Sequence, residues 1–493
     1  MQHQAMIPTR MWAVAAATAL LAACGGGGGG GDGGGSNWSS TGSATVNATQ
    51  RIESLDGSTK RSTAATVSKA TAAAPSAVSV VLEAPANGDI ATKASEGIGK
   101  RQAIGMARSV SVTADVASTG ALLSWSATAG GNQVAAISFT SGNAVGVRLG
   151  VLVRSLPDGA VLRFYGNPSG SEGVEVVTAA QAKEIIERNV TAGVEDVAAH
   201  TIWSRGFGGS ATTLEIEIPA GAAARNQVKL AVPQLSHLVT TAQDAIVSRN
   251  LAKIGQSESC NVDVSCDASY DAQSRSVALM EFVDGGRTFI CTGTLLNDAS
   301  NTGTPYFLSA NHCISTQSEA STLVTRWFYR STSCNSGALN PGTQTVSGGA
   351  ALLYQTDATD TSFLRLNAAP PSGALYAGSY FGSLGTGTSL AGIHHPDGDL
   401  QKLSVGALTG FANCTTESCT ESGSGSFLRL NWQRGTTQGG SSGSSALHSI
   451  DGRRYVVGQL LGGVASCANP GGNDYYGRYE QSYKAALYRW LNP

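Results

Sequence analysis

Gly439-Gly440-Ser441-Ser442-Gly443-Ser444-Ser445 is a run of small residues between two apolar segments. Those segments are Phe427-Leu428-Arg429-Leu430-Asn431-Trp432 and Tyr455-Val456-Val457-Gly458-Gln459-Leu460-Leu461. Both flanks read as strands. A loop of Gly and Ser can gather backbone N–H groups and a hydroxyl around one reacting carbonyl, because Gly accepts the φ values needed and adds no bulk. The same composition also describes a flexible linker. The rest of the chain has to decide between the two.

At 493 residues the chain has room for two or three domains. Charged residues make up 13% of it, about half the usual share, and the formal net charge is −2. That balance argues against nucleic acid or an acidic polymer as partner and fits an exported, β-rich protein. The start of the chain agrees. Arg10 precedes an apolar run from Met11 to Ala23, too short to serve as a stop-transfer span. The run ends in Leu21-Ala22-Ala23-Cys24, which resembles a bacterial lipobox. The resemblance implies lipidation at Cys24, and Gly25 rather than Asp after it implies the outer membrane or cell surface. The tract Gly25–Gly31 would then be a tether.

Of nine cysteines, all but Cys24 lie beyond residue 255. An even, clustered set in an exported chain reads as disulfides. A zinc site would need close pairs, and only Cys414 and Cys419 are close. The distribution also divides the chain. Residues 1–24 form a signal peptide and 25–75 a Gly/Ser/Ala-rich disordered tether. Residues 76–253 alternate apolar segments with turns, as in Val145–Val153, Val161–Gly166 and Leu214–Pro219, with one helix from an N-cap at Thr178 through Arg188. This half shows no cluster of catalytic residue types and suits a pro-region or a binding module. Residues 254–493 hold many short strands. They include a hairpin of Ser276–Val283 and Arg287–Leu296 about Asp284-Gly285-Gly286, and a short helix closes the chain.

Three residue types stand out in this half. His312 ends the apolar stretch Phe307-Leu308-Ser309-Ala310-Asn311-His312-Cys313, with Cys291 on the preceding strand. Asp360 stands at the mouth of the strand Ser362–Leu366. Ser442 crowns the Gly/Ser loop. A lone His after a strand is an ordinary surface residue; the order His, Asp, Ser on a cysteine-rich β scaffold is not. Ser needs a base, His titrates near neutrality, and a carboxylate fixes the imidazole tautomer. Asp357 is a second carboxylate nearby, read as a solvated turn residue. Gly439–Gly443 also fits G-x-S-x-G with Ser441 as nucleophile, but that esterase elbow requires a following helix, which Ser444–Ile450 does not suggest.

The motifs together resemble the chymotrypsin-like serine proteases, and most closely the bacterial lysyl endopeptidases of the Achromobacter protease I type. They are Cys260–Cys266, Cys291–Leu296, Phe307–Cys313, Ile393-His394-His395-Pro396, Gly440–Ser444, Gly458-Gln459-Leu460 and Asp474–Arg478. The resemblance covers 255–493, with a weaker echo of the family's pro-regions in Leu162–Gly166 and Leu235–Leu238. It implies a mainly β fold, a two-barrel chymotrypsin-like domain after a β-rich pro-domain. The implied activity is serine endopeptidase cleavage after Lys or Arg through His312, Asp360 and Ser442, with protein or peptide substrates. The N–H groups of Gly440 and Ser442 would form the oxyanion hole, and Asp474, Leu461 and Gly462 would shape the substrate pocket. Where the lysyl enzymes carry a histidine this chain has Leu461, so strict Lys preference is not implied. The family pairs Cys260–Cys467, Cys266–Cys334 and Cys291–Cys313, leaving Cys414 and Cys419 for each other. His394 and His395 are read as structural, no cofactor or metal is expected, and a monomer is expected. Ser441 stands where trypsin has Asp, which argues against activation by insertion of a new amine. Cleavage after Lys253, or after Ile254, would release the protease. A non-catalytic surface lipoprotein with a protease-like fold is the alternative.

Overall fold

The hairpin Val277–Asp284 and Arg287–Leu296 is the centre of one sheet. Its turn falls on Gly285 and Gly286, both with positive φ, which Gly adopts without steric cost. The computed structural model describes residues 50–57, 77–85, 98–166, 173–239 and 257–493. Met11 to Ala23, Cys24, Gly25–Gly31 and the Lys253–Gly255 junction lie outside the described residues. Among the described residues no helix is long and apolar enough to cross a membrane.

In the C-terminal half the hairpin belongs to an eight-stranded sheet. Side chains from distant strands of that sheet, Met280, Phe307, Trp327 and Leu364, meet in one core, so the sheet wraps around its own interior. The second sheet closes on itself. Its strands Arg453–Gly463, Ser445–Ile450, Ser389–His394, Lys402–Cys414, Phe427–Arg434 and Asn473–Arg478 pair in that order, and the last pairs back to the first. A ring of strands leaves no open edge between its members. The C-terminal segment is helical from Tyr479 to Leu491, with a π-helical stretch at Tyr483–Leu487, and lays Tyr483, Leu487 and Leu491 into the core. The disulfides are Cys260–Cys467, Cys266–Cys334, Cys291–Cys313 and Cys414–Cys419.

The N-terminal half is also mainly β. A six-stranded and a five-stranded sheet contribute to one core, the first through Phe139, Leu162 and Ile216, the second through Leu149, Val151 and Leu235. The helix Ala179–Thr191 starts in a capping box, Thr178 with Gln181. This half docks against the hairpin and the short helix Gln317–Ser321. Buried Arg148 donates to the Thr322 carbonyl at 2.7 Å, and Ser236 Oγ meets Thr288 Oγ1 at 2.7 Å.

Residues 50–57 depart from the tether reading of 25–75. Arg51–Ile52 pairs with Gly378–Tyr380, and Leu55–Asp56 with Leu375–Tyr376. Ile52 is buried in the protease core. Two-residue strands carry almost no local signal; the order here comes from sheet edges elsewhere in the chain that supply the partners.

Candidate active site

His312 and Asp360 are carried by neighbouring strands of the first sheet. Tyr306–Ala310 pairs with Thr361–Leu366 so that Ala310 faces Thr361. His312, two residues past one strand, and Asp360, one before the other, therefore meet. His312 Nδ1 lies 2.7 Å from Asp360 Oδ2, and the His312 backbone N–H donates to Asp360 Oδ1 at 2.8 Å. An acceptor at Nδ1 holds the proton there and leaves Nε2 with its lone pair, the tautomer a general base needs. Asp360 has φ +50°, a strained conformation that Asp tolerates better than most residues. Gln459, on the second sheet, secures that turn: its amide donates to the Thr359 carbonyl at 2.6 Å and to Thr361 Oγ1 at 2.9 Å.

Asp357 is exposed, but its Oδ1 accepts from Asn311 Nδ2 at 2.6 Å. It anchors the residue before His312 rather than serving as a free turn carboxylate.

The Gly/Ser loop sits across from this pair. The Ser442 carbonyl accepts from the Thr292 N–H at 2.8 Å, and Thr292 Oγ1 donates to the Gly440 carbonyl at 2.9 Å. Thr292 follows Cys291, whose disulfide to Cys313 adjoins His312, so one residue ties the loop to the His side. Gly440 has φ +87°, and a Cβ there would come within 2.8 Å of the His395 carbonyl; Gly443, at φ +80°, would meet the Thr292 carbonyl at 2.5 Å. Neither position admits a side chain. Among the described residues, the N–H groups of Gly440 and Ser442 enter no hydrogen bond. Ser442 Oγ itself donates to the Lys100 carbonyl, at 3.4 Å.

Ser441 points the other way. It is fully buried, its Oγ lies 2.8 Å from His394 Nδ1, and it accepts from the Gln438 N–H at 3.2 Å. His394 Nε2 is taken by Ser404 Oγ at 2.9 Å. Burial pushes His394 down to about 3 and His395 to about 4, so both stay neutral near pH 7. Ser445–Ile450 is a strand, not the helix that the esterase elbow needs. A substrate cannot reach Ser441.

Beside Ser442 opens a cavity of about 310 Å³, whose lining includes Thr437, Gly462, Ser466 and Asp474. Asp474 is fully buried. Its Oδ2 accepts from Trp432 Nε1 and Thr437 Oγ1, each at 2.6 Å; among the described residues Oδ1 meets no donor in good hydrogen-bond geometry, and the Ala465 N–H adds a weaker backbone contact to the carboxyl. Burial raises this carboxyl to about 6. Leu461 is buried and presents its carbonyl, which accepts from the Gly99 N–H at 3.1 Å. Cys291, His312 and Cys313 cluster within 4.8 Å, but the two sulfurs are bonded to each other and offer no thiolate to a metal.

Fold and site together define a serine endopeptidase, a hydrolase acting on peptide or protein substrates. The chain belongs to the lysyl endopeptidase family. Residues 81–239 match the lysyl endopeptidase N-terminal domain, and 254–477 match the lysyl endopeptidase C-terminal domain. The lysyl endopeptidase of Pseudomonas aeruginosa is 31% identical over 388 residues, 75% of this chain and 78% of that protein. Solved structures similar to the chain include the thermostable serine protease AL20 from an extremophilic microorganism, 13% identical over 45% of this chain and 100% of that one, TM-score 0.32. A scabies mite inactivated protease paralogue is 14% identical over 44% and 94%, TM-score 0.33.

Proposed function

We infer that the chain is the precursor of an exported endopeptidase that cleaves after Lys or Arg. The observation that carries the specificity is Asp474, a fully buried carboxyl in the lining of the cavity beside Ser442, whose two side-chain donors both fall on Oδ2. A buried carboxylate lacking a full set of donors favours a side chain that brings a cation, since a neutral one leaves its desolvation uncompensated. The P. aeruginosa relative's name points the same way.

Ser442 Oγ attacks the scissile carbonyl as His312 Nε2 takes its proton, forming an acyl-enzyme and returning the proton to the leaving amine. Asp360 stabilises the imidazolium. The N–H groups of Gly440 and Ser442 receive the oxyanion; losing one such donor typically costs ~100–1,000-fold in rate. Residues 76–253 act as the pro-region, with release by cleavage after Lys253 and lipid attachment at Cys24. Mass spectrometry of the processed protein checks both positions.

The catalytic reading is tested with a serine-reactive fluorophosphonate. Wild type and Ser441→Ala are expected to be labelled and Ser442→Ala not. Labelling lost only in Ser441→Ala would overturn the nucleophile assignment.

A further inference from the structure

The N-terminal half runs through the cleft as well as docking beside it. Gly99 donates to the Leu461 carbonyl, the Lys100 carbonyl takes the Ser442 hydroxyl, and Gln102 and Ala103 pair antiparallel with Ile290 and Phe289. The bond after Lys100 therefore lies at the nucleophile. Gly99 is on the side of the Asp474 cavity, and Arg101 to Ala103 are on the side of the Cys291–Cys313 disulfide. An endopeptidase substrate has to lie in this sense, acyl residue by the pocket and leaving group towards the histidine.

We propose that Lys100–Arg101 is an internal processing site, cut by Ser442 of the same chain, and that residues 99–103 fill the active-site cleft until it is cut. The proposal rests on the roles given above to Ser442 and Asp474.

Lys100 lines the cavity that contains Asp474. Its side chain is exposed in this structure, so rotation about its own stem can bring the ammonium inward. Arg101 is clamped on the leaving-group side. It pairs with buried Glu319 at 2.6 Å and with Asp284 at 2.9 Å, and its guanidinium stands 4.7 Å from the Phe289 ring centre. Gly99 has φ +63°, and a Cβ there would sit 3.0 Å from Thr416 Cα. Thr416 belongs to the Cys414–Cys419 loop, which thus walls the segment on the acyl side.

The step balances with one water. Ser442 Oγ bonds to the Lys100 carbonyl carbon, and its proton passes to His312. The C–N bond to Arg101 breaks as that proton moves to the departing nitrogen. Water then hydrolyses the ester, leaving the Lys100 carboxylate and regenerating Ser442. Arg101 keeps its ion pairs after the cut, so its new amine leaves the cleft slowly.

The test uses the full-length chain as wild type, Ser442→Ala and Lys100→Gln, followed by N-terminal sequencing and intact mass. A fragment beginning at Arg101 is expected in wild type, at a rate independent of protein concentration, and in neither variant. Active enzyme added to the Ser442→Ala chain is expected to leave the bond intact over the same period. Wild-type protein that hydrolyses lysyl or arginyl peptides while Lys100–Arg101 stays whole would overturn the proposal and leave the endopeptidase reading standing. The same fragment from Lys100→Gln, or equally fast cutting by added enzyme, would also overturn it. A wild type that neither hydrolyses those peptides nor takes the fluorophosphonate would bring down both.

Discussion

Asp474→Asn should make the protein more stable and far less active, and the two effects have one cause. The side chain keeps its shape, so Asn can still accept from Trp432 and Thr437. What disappears is a charge. Burial raises the carboxyl from 3.8 to about 6. The folded value lies above the unfolded one, so the group favours folding most below pH ~4 and loses that contribution as pH rises through about 6. At about 1.4 kcal/mol per pH decade, the ionised folded protein bears a cost of ~3 kcal/mol at pH 8. Denaturant unfolding in a Ser442→Ala background, which prevents self-digestion, should show Asp474→Asn more stable by up to that amount at pH 8, with the gap vanishing by pH 4. Activity moves the other way. Losing one partner of a buried charge pair costs 2–5 kcal/mol, roughly 30- to 5,000-fold in kcat/KM for peptides with Lys or Arg at the cleaved bond. In wild type the same titration should raise KM for these peptides as pH falls below about 6. Equal stability at pH 8 would refute the desolvation argument. Unchanged cleavage after Lys and Arg would refute the pocket assignment.

The buried histidines set an acid limit on the fold. His394 and His395 are depressed to about 3 and about 4, so their contribution is complete above the usual His value and is lost as pH falls towards those values. Stability in urea should drop by several kcal/mol, to order of magnitude, between pH 7 and pH 4; a His394→Gln variant should show a flatter profile, and an unchanged profile would refute the assignment. The disulfides should differ in worth by the loops they close. Cys260–Cys467 spans 207 residues and Cys414–Cys419 only 5. Loop entropy gives ~5 and ~2 kcal/mol respectively. Paired Cys→Ala substitutions compared by thermal unfolding should preserve that order, and the reverse order would contradict it.

The features legible in the sequence are those with local causes. The hairpin at Val277–Leu296 follows from alternating apolar residues about two glycines, and the helix at Ala179 from Thr178 and Gln181. The neighbourhood of His312 and Asp360 could be inferred because each stands at a strand end. Their register, Ala310 opposite Thr361, could not. Gln459 and Thr292 carry no local signal of what they do, since each acts on a loop far away in the chain. The ordered residues 50–57 and the passage of 99–103 through the cleft were invisible for the same reason. Short polar segments acquire structure only from the sheet edge or groove that receives them.

Ser441 draws these observations together. In trypsin the Asp at this position requires a cation, which a new N-terminus supplies on cleavage. Here the Ser441 hydroxyl is met by His394 and the Gln438 N–H, and His394 is neutral near pH 7 because burial forbids its charge. The loop bearing Gly440 and Ser442 is therefore held by neutral hydrogen bonds that require no terminal amine. Gly440 and Gly443 already have their positive φ, and Thr292 already fastens the loop to the His312 side. On the roles proposed for Ser442 and for residues 76–253, a loop already held in this way leaves little for an amine to switch on, and restraint of the proposed precursor comes from occupancy of the cleft. Residues 99–103 supply that occupancy, with Lys100 at the nucleophile and Arg101 locked by two carboxylates. Replacing a charge-triggered loop by a neutral one thus moves control from the loop's conformation to the segment lying over it.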